Sequence, residues 1–350
     1  MSLINLLIKA RIYGEGMLSE KKLFRNSLDP KGSQLKVLKS ILSKHANTEF
    51  GKKYKFDKIT SAEEFRTLVP IHEYEDLRPW IEEQDRMGRP VIMSTMPLMY
   101  ATTSGTTGKP KYIPILKENL SAQKAIQNLS TYRLLKDHPN AFSGKLLGIV
   151  SPAVEGFMPS GIPFGSTSGH IYQGMPGLAR KKYVVPYKTF EIENYDLKYL
   201  LIIRLAMGQR DISYIATANP STLVRLANIM EKHWDILVED IKNGGFHRAQ
   251  ELTVEQQNAI ANRVKANHER ANELSQLKRK KKGPISLSEI WPNLQVIGCW
   301  TGGSCSIFIK QLRHKLDPKV AIRDIGYLSS EFRGTFTLEK NTNAGVPSFQ

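Results

Sequence analysis

Ten consecutive residues, Thr102-Thr103-Ser104-Gly105-Thr106-Thr107-Gly108-Lys109-Pro110-Lys111, carry the chemistry of a phosphate-binding loop. Glycines at 105 and 108 let backbone N–H groups approach an anion, the hydroxyls of Ser104, Thr106 and Thr107 donate hydrogen bonds, and Lys109 and Lys111 supply charge. The spacing excludes a Walker P-loop: only two residues separate Gly105 from Gly108, and Pro110 follows Lys109 where that motif needs a magnesium-binding Ser or Thr. Pro110 also disfavours a helix at Lys109, so an anion would meet a hairpin loop and not a helix N-terminus. The bland alternative is a flexible polar turn, against which the closing Lys-Pro-Lys argues.

Elements that must position this loop can be read on either side of it. Residues 97–103 and 111–116 predict two short strands, and residues 118–135 a helix. An apolar strand at 146–150 leads into a Gly/Pro/Ser-rich stretch, 151–177, that is too long to be a mere connector and is expected to contribute to a substrate pocket. Next come a strand at 214–218 passing through Asn219-Pro220 into a helix, a strand at 294–300 and an extended segment at 322–338. Upstream, Leu35, Leu38, Ile41 and Leu42 recur at helical spacing, and Ser61 with Glu64 opens a helix toward Leu68. Thr253 with Gln256 predicts the start of one long polar helix running to Lys278-Arg279-Lys280-Lys281-Lys282. Alternation of strands with helices predicts an α/β fold, a mixed or parallel sheet covered by helices.

The loop at 102–111 matches the phosphate-binding signature of the adenylate-forming superfamily, with Lys111 at its closing lysine. Its continuation into Tyr112-Ile113-Pro114 resembles the branch of GH3 acyl acid–amido synthetases, and a second match lies at Tyr327-Leu328-Ser329-Ser330-Glu331. The resemblance implies that Tyr327 stacks on adenine, that Ser329 and Ser330 line the nucleotide site, and that Glu331 ligates Mg²⁺, for which one carboxylate beside phosphates and water suffices. Between the two motifs, Trp300-Thr301-Gly302-Gly303-Ser304 is similar to the family's glycine-rich adenine and acyl-pocket segment. The likeness extends from Asn47-Thr48-Glu49-Phe50-Gly51 through Pro70-Ile71-His72-Glu73-Tyr74 to the Tyr327 segment; Phe332-Arg333 depart from it, standing where smaller residues are expected.

Composition bounds the remaining possibilities. A chain of 350 residues with 41% hydrophobic content can bury a large core. No run is long and apolar enough to predict a membrane helix, and the first residues lack the pattern of a signal peptide. Cys299 and Cys305 have neither metal-ligand spacing nor a matching pair, which fits a reducing, cytoplasmic setting. His72, His170 and His268 are isolated and read as surface or core histidines. The net charge of +17 is mostly dispersed, and the run at 278–282 reads as a solvated helix end, without the interleaved aromatics of a nucleic-acid site.

The implied chemistry is ATP- and Mg²⁺-dependent activation of a carboxylic acid as acyl-AMP, followed by transfer to an amino acid as an amide. An acyl-CoA ligase shares the first step and differs in its acceptor; a nucleotide-binding remnant without turnover is the non-catalytic alternative. Residues 1–350 are expected to form an incomplete N-terminal adenylation domain without the small C-terminal lid and the ribose-binding Asp motif.

Overall fold

A computed structural model describes residues 3–103, 109–281, 283–339 and 346–347. Ten strands occur among them. Met99–Thr103 (β1) and Lys111–Ile115 (β2) pair antiparallel, with Thr103 opposite Lys111, as the hairpin reading predicts. Lys145–Gly148 (β3) follows the helix Lys117–Asp137. The stretch at 151–177 is not structureless. It contains Gly156–Phe157 (β4), Pro163–Gly165 (β5) and the helix Thr167–Gln173. Then come Ile212–Ala216 (β6), Val296–Cys299 (β7), Ala321–Asp324 (β8), Thr335–Phe336 (β9) and Val346–Pro347 (β10).

Two four-stranded sheets result, one ordered β2-β1-β5-β4 and the other β3-β6-β7-β8. Every neighbouring pair in the second is parallel. Its register explains why its strands read as continuous apolar runs. Leu147, Ile215, Ile297 and Ile322 lie across from one another and pack into the largest hydrophobic cluster, with the helices Tyr195–Met207 and Pro220–Lys232. Leu146, Tyr214, Val296 and Ala321, one residue before, face the helix Lys117–Asp137 through Leu134 and Leu135. Successive residues point to opposite faces, and both faces are covered.

Local signals in the sequence act where expected. Ser61 caps the helix Ala62–Leu68 by accepting from the Glu64 N–H, and Asn219 caps Pro220–Lys232 by accepting from Ser221. Thr253 and Gln256 form the predicted capping box, but the long polar helix is a correction. The helix Val254–Ile260 ends, and a second begins at His268–Lys280 under an Asn267 cap. Between them the backbone is drawn into tertiary hydrogen bonds: Val264 O accepts from Gly245 N at 2.6 Å and Asn267 N donates to Ile241 O at 2.8 Å. Those bonds use groups that a continuous helix would need for itself. Of the basic run, Lys278 pairs with Asp235 at 2.8 Å and Lys281 with Glu289; Lys282 lies outside the described residues. No helix among the described residues is long and apolar enough to cross a membrane.

Candidate functional site

The hairpin carrying the phosphate-type loop is held from outside by the helix Tyr74–Met87. Tyr74 grips the first turn of the return strand: its hydroxyl donates to Tyr112 O at 3.2 Å and accepts from Tyr112 N at 2.7 Å. One turn on, the Arg78 guanidinium donates to Pro110 O at 3.2 Å. Lys111 lies over the Tyr74 ring, 5.6 Å from its centroid, and Lys109 is exposed. Glu75 is held below the ordinary carboxylate range by hydrogen bonds from Arg78 and then by the charges of Arg78, Lys111 and Lys109. At the outgoing end, Thr102 donates to Glu155 at 2.9 Å. Ser104, Gly105, Thr106, Thr107 and Gly108 lie outside the described residues.

The second predicted segment emerges from the C-terminal end of β7. Asp324, the last residue of the neighbouring β8, clamps it: the carboxylate accepts from Thr301 N at 2.8 Å, from the Thr301 hydroxyl, and from Gly326 N at 2.6 Å. Trp300 closes the clamp, its indole N–H donating to Gly326 O at 3.0 Å. Gly302, Gly303 and Ser304 are left exposed, and a Cβ added at either glycine would meet nothing within 4 Å. Gly303 has φ +57, a backbone state that favours glycine. Gly326, at φ +85, is constrained differently, since a Cβ there would come within 2.2 Å of Thr335 O.

The third segment is a tight loop in which Leu328 bridges back to Arg333. Ser329 N donates to Phe332 O at 3.0 Å, and Gln123, from the helix that follows the hairpin, donates to Ser330 O at 3.3 Å. Tyr327 is 62% exposed although its ring is large and apolar, and it meets Phe332 edge-on with ring centroids 6.1 Å apart. Glu331 is exposed and makes no hydrogen bond or ion pair among the described residues. The departure at Arg333 has a structural use: the side chain is buried, bonds Gln127 and donates to Ile325 O at 2.7 Å, tying the loop to the helix Lys117–Asp137. Burial lowers its pKa to about 10, so it stays charged at neutral pH.

Trp300–Ser304 and Tyr327–Glu331 thus converge through Asp324 and Gly326 on the C-terminal edge of the parallel sheet, where open α/β sheets bind ligands. Beside them a cavity of about 640 Å³ runs over that edge, lined among others by Gly148, Gly298, Asp324 and Leu328. Gly148 and Gly298 make room for tyrosine rings, as a Cβ would lie 2.6 Å from Tyr183 and 2.4 Å from the Tyr214 hydroxyl. Burial pushes the Tyr183 hydroxyl up to about 12 and the Cys299 thiol likewise to about 12, so neither ionises near neutral pH. His72 bonds the Tyr54 hydroxyl at 2.9 Å within an aromatic cluster, as a core histidine does.

Sequence reasoning missed the roles of Asp324, Glu155, Tyr74, Arg78 and Gln123. Asp324 alone had a local signal, an acidic residue at the end of an apolar strand; the others act over large sequence separations, 207 residues for Gln123 to Ser330.

Comparison with known proteins supplies a framework for these features. Residues 20–320 match the GH3 family N-terminal domain. The indole-3-acetic acid-amido synthetase GH3.6 of Arabidopsis thaliana is 24% identical over 288 residues, covering 80% of this chain and 47% of that protein. A putative indole-3-acetic acid-amido synthetase GH3.10 of Oryza sativa subsp. japonica is 26% identical over 215 residues, covering 60% of this chain and 45% of that protein. The chain therefore spans about half the length of the curated relatives it matches. Among solved structures, the AtGH3.15 acyl acid amido synthetase in complex with 2,4-DB superimposes with a TM-score of 0.79 at 20% identity, covering 94% of this chain and 57% of that one.

Proposed function

This chain belongs to the GH3 family, and from that premise we propose that it binds ATP and activates a carboxylic acid as acyl-AMP, the first step of acyl acid–amido synthesis. The observation that carries the reading is the joining of the glycine-rich loop at 300–304 to the loop at 327–331 by Asp324, at the mouth of a cavity on the sheet's C-terminal edge.

Each residue then has a task that matches its surroundings. Tyr327 offers an exposed ring as a platform for adenine, with Ser329 and Ser330 following it in its loop and the open backbone of Gly302, Gly303 and Ser304 in the segment that Asp324 ties to Gly326. Lys109 and Lys111, with the loop from Ser104 to Gly108, neutralise and orient the phosphates. Glu331 would hold Mg²⁺, which would supply charge neutralisation on the phosphates; an exposed carboxylate without a hydrogen-bond or ion-pair partner among the described residues fits a cation that takes its other ligands from phosphate and water. An oxygen of the acid's carboxylate attacks the α-phosphorus, the bond to the bridging oxygen breaks, and pyrophosphate leaves. The nucleophile is already ionised, so no general base is required, and catalysis is positioning and electrostatics. Attack of an amino acid's amine on the acyl carbonyl would then release AMP and form the amide.

Acid-dependent exchange of labelled pyrophosphate into ATP tests the reading. Glu331→Ala is expected to lower exchange by about 100-fold, the scale for losing a group that meets transition-state charge. Lys109→Ala is expected to lose less, about tenfold, because Lys111 and the loop remain. Equal or reversed losses would contradict the assigned roles.

A further inference from the structure

Lys198, on the helix Tyr195–Met207, lines the cavity and is only 8% exposed. Among the described residues its ammonium group makes no hydrogen bond and no ion pair. The fold disfavours the charge in two ways. Burial pulls the lysine below its ordinary pKa, and the position falls near the Asn194-capped N-terminus of its helix, the end that repels cations. Partial support comes from the Tyr195 ring, whose centroid is 4.6 Å from Nζ, and from the nearby charges of Glu155 and Glu193, neither of which pairs with it.

Other cations on the cavity wall are satisfied by the protein. Arg323 pairs with Asp137, Arg333 bonds Gln127 and Ile325 O, and Lys182 donates to Phe142 O. The Lys198 ammonium opens on the cavity without a protein partner among the described residues, so an anion entering the cavity can pair with it. Two further features shape the potential around Lys198. Glu155, which favours the charged form of Lys198, also accepts from Thr102 at the root of the phosphate-type loop. The helix Pro220–Lys232 starts at the same cavity, with Asn219 and Thr222 on its wall, and its N-terminus adds positive potential.

We propose that Lys198 binds the carboxylate of the acid substrate within this cavity. The proposal rests on the adenylation reading for the identity of the anion, and it makes Lys198 a substrate-binding residue that selects acids over their neutral analogues.

Titration calorimetry without nucleotide tests it, comparing benzoate, indole-3-acetate and 2,4-DB with their carboxamides on the unmodified chain, Lys198→Met and Lys198→Arg. The unmodified chain is expected to bind at least one acid about tenfold or more tighter than its carboxamide. Lys198→Met, which keeps the volume and removes a buried charge, should bind the two alike while its carboxamide affinity stays within about twofold; Lys198→Arg should restore part of the preference. A preference that survives in Lys198→Met overturns the proposal, and so does an unmodified chain that prefers none of the acids. Because ATP is absent, the two readings fail separately. Acid binding through Lys198 without pyrophosphate exchange refutes adenylation alone, whereas exchange with an unchanged KM for the acid in Lys198→Met refutes the role of Lys198 alone.

Discussion

The parallel sheet and the mixed sheet have the same number of strands, four each, yet they hold their loops in place by different means. The parallel sheet is buried on both faces, and the row Leu147, Ile215 and Ile297 sits in a cluster that takes in most of the helices of the second half of the chain. The fully buried clusters of the mixed sheet are small, Met99, Ala101 and Ile115 on one face and Tyr100 with Ile81 and Met158 on the other, and residues such as Ile113, Tyr112 and Phe164 pack against them only partly buried. What it lacks in apolar burial it replaces with polar anchors from one helix, Tyr74–Met87. Beyond Tyr74 and Arg78, Gln84 is fully buried and its side-chain oxygen accepts from the backbone N–H groups of Val91, Ile92 and Met93, at 3.0, 2.9 and 2.8 Å. Asp85 accepts from Ser160 N at 3.1 Å, just before β5. A small sheet can therefore present a loop in a defined place, provided that directional bonds do what a large core does elsewhere.

The largest effect expected from this contrast is at Gln84. Gln84→Leu leaves three N–H groups, those of Val91 and Met93 buried and that of Ile92 partly so, without their acceptor, and at about 1 to 3 kcal/mol for an orphaned buried group the variant should lose about 4 kcal/mol of stability in urea unfolding. A loss below about 1 kcal/mol would show that polar anchoring does not hold the mixed sheet. At the other sheet, Asp324→Ala removes the acceptor of Thr301 and Gly326 but leaves the core intact, so a smaller loss of about 2 to 3 kcal/mol is expected, with weaker nucleotide binding in equilibrium titrations. Unchanged nucleotide affinity in a folded Asp324→Ala chain would separate the clamp from the proposed site. Smallest in stability is Tyr327→Ala, at an exposed ring, which should shift the unfolding free energy by no more than about 0.5 kcal/mol. Its expected signature is instead a loss of about 1 to 3 kcal/mol in ATP binding, the scale of base–aromatic stacking. A stability loss larger than the binding loss would make Tyr327 a packing residue.

Much of this was legible in the residues themselves. The strands flanking the phosphate-type loop, the caps at Ser61, Asn219 and Thr253, and the α/β alternation depend on neighbours a few positions apart, so local patterns report them. The candidate nucleotide residues from Tyr327 to Glu331 were nameable only through the family resemblance, and with Lys109 and Lys111 they stand as proposals.

Sequence alone determined which groups are available for chemistry and the local turns and strands that carry them, because steric preference and hydrogen bonding over short spans decide those. Tertiary structure decided the rest. It broke the polar helix between residues 260 and 268 by drawing Val264 and Asn267 into bonds with a distant loop. It turned Asp324 into a clamp and paired Arg323 with Asp137 across 186 residues. It also set Lys198 on a cavity wall without an ion-pair partner among the described residues, although in sequence it is one lysine among many. Burial and charge pairing are properties of position in space, and no pattern of adjacent residues encodes them.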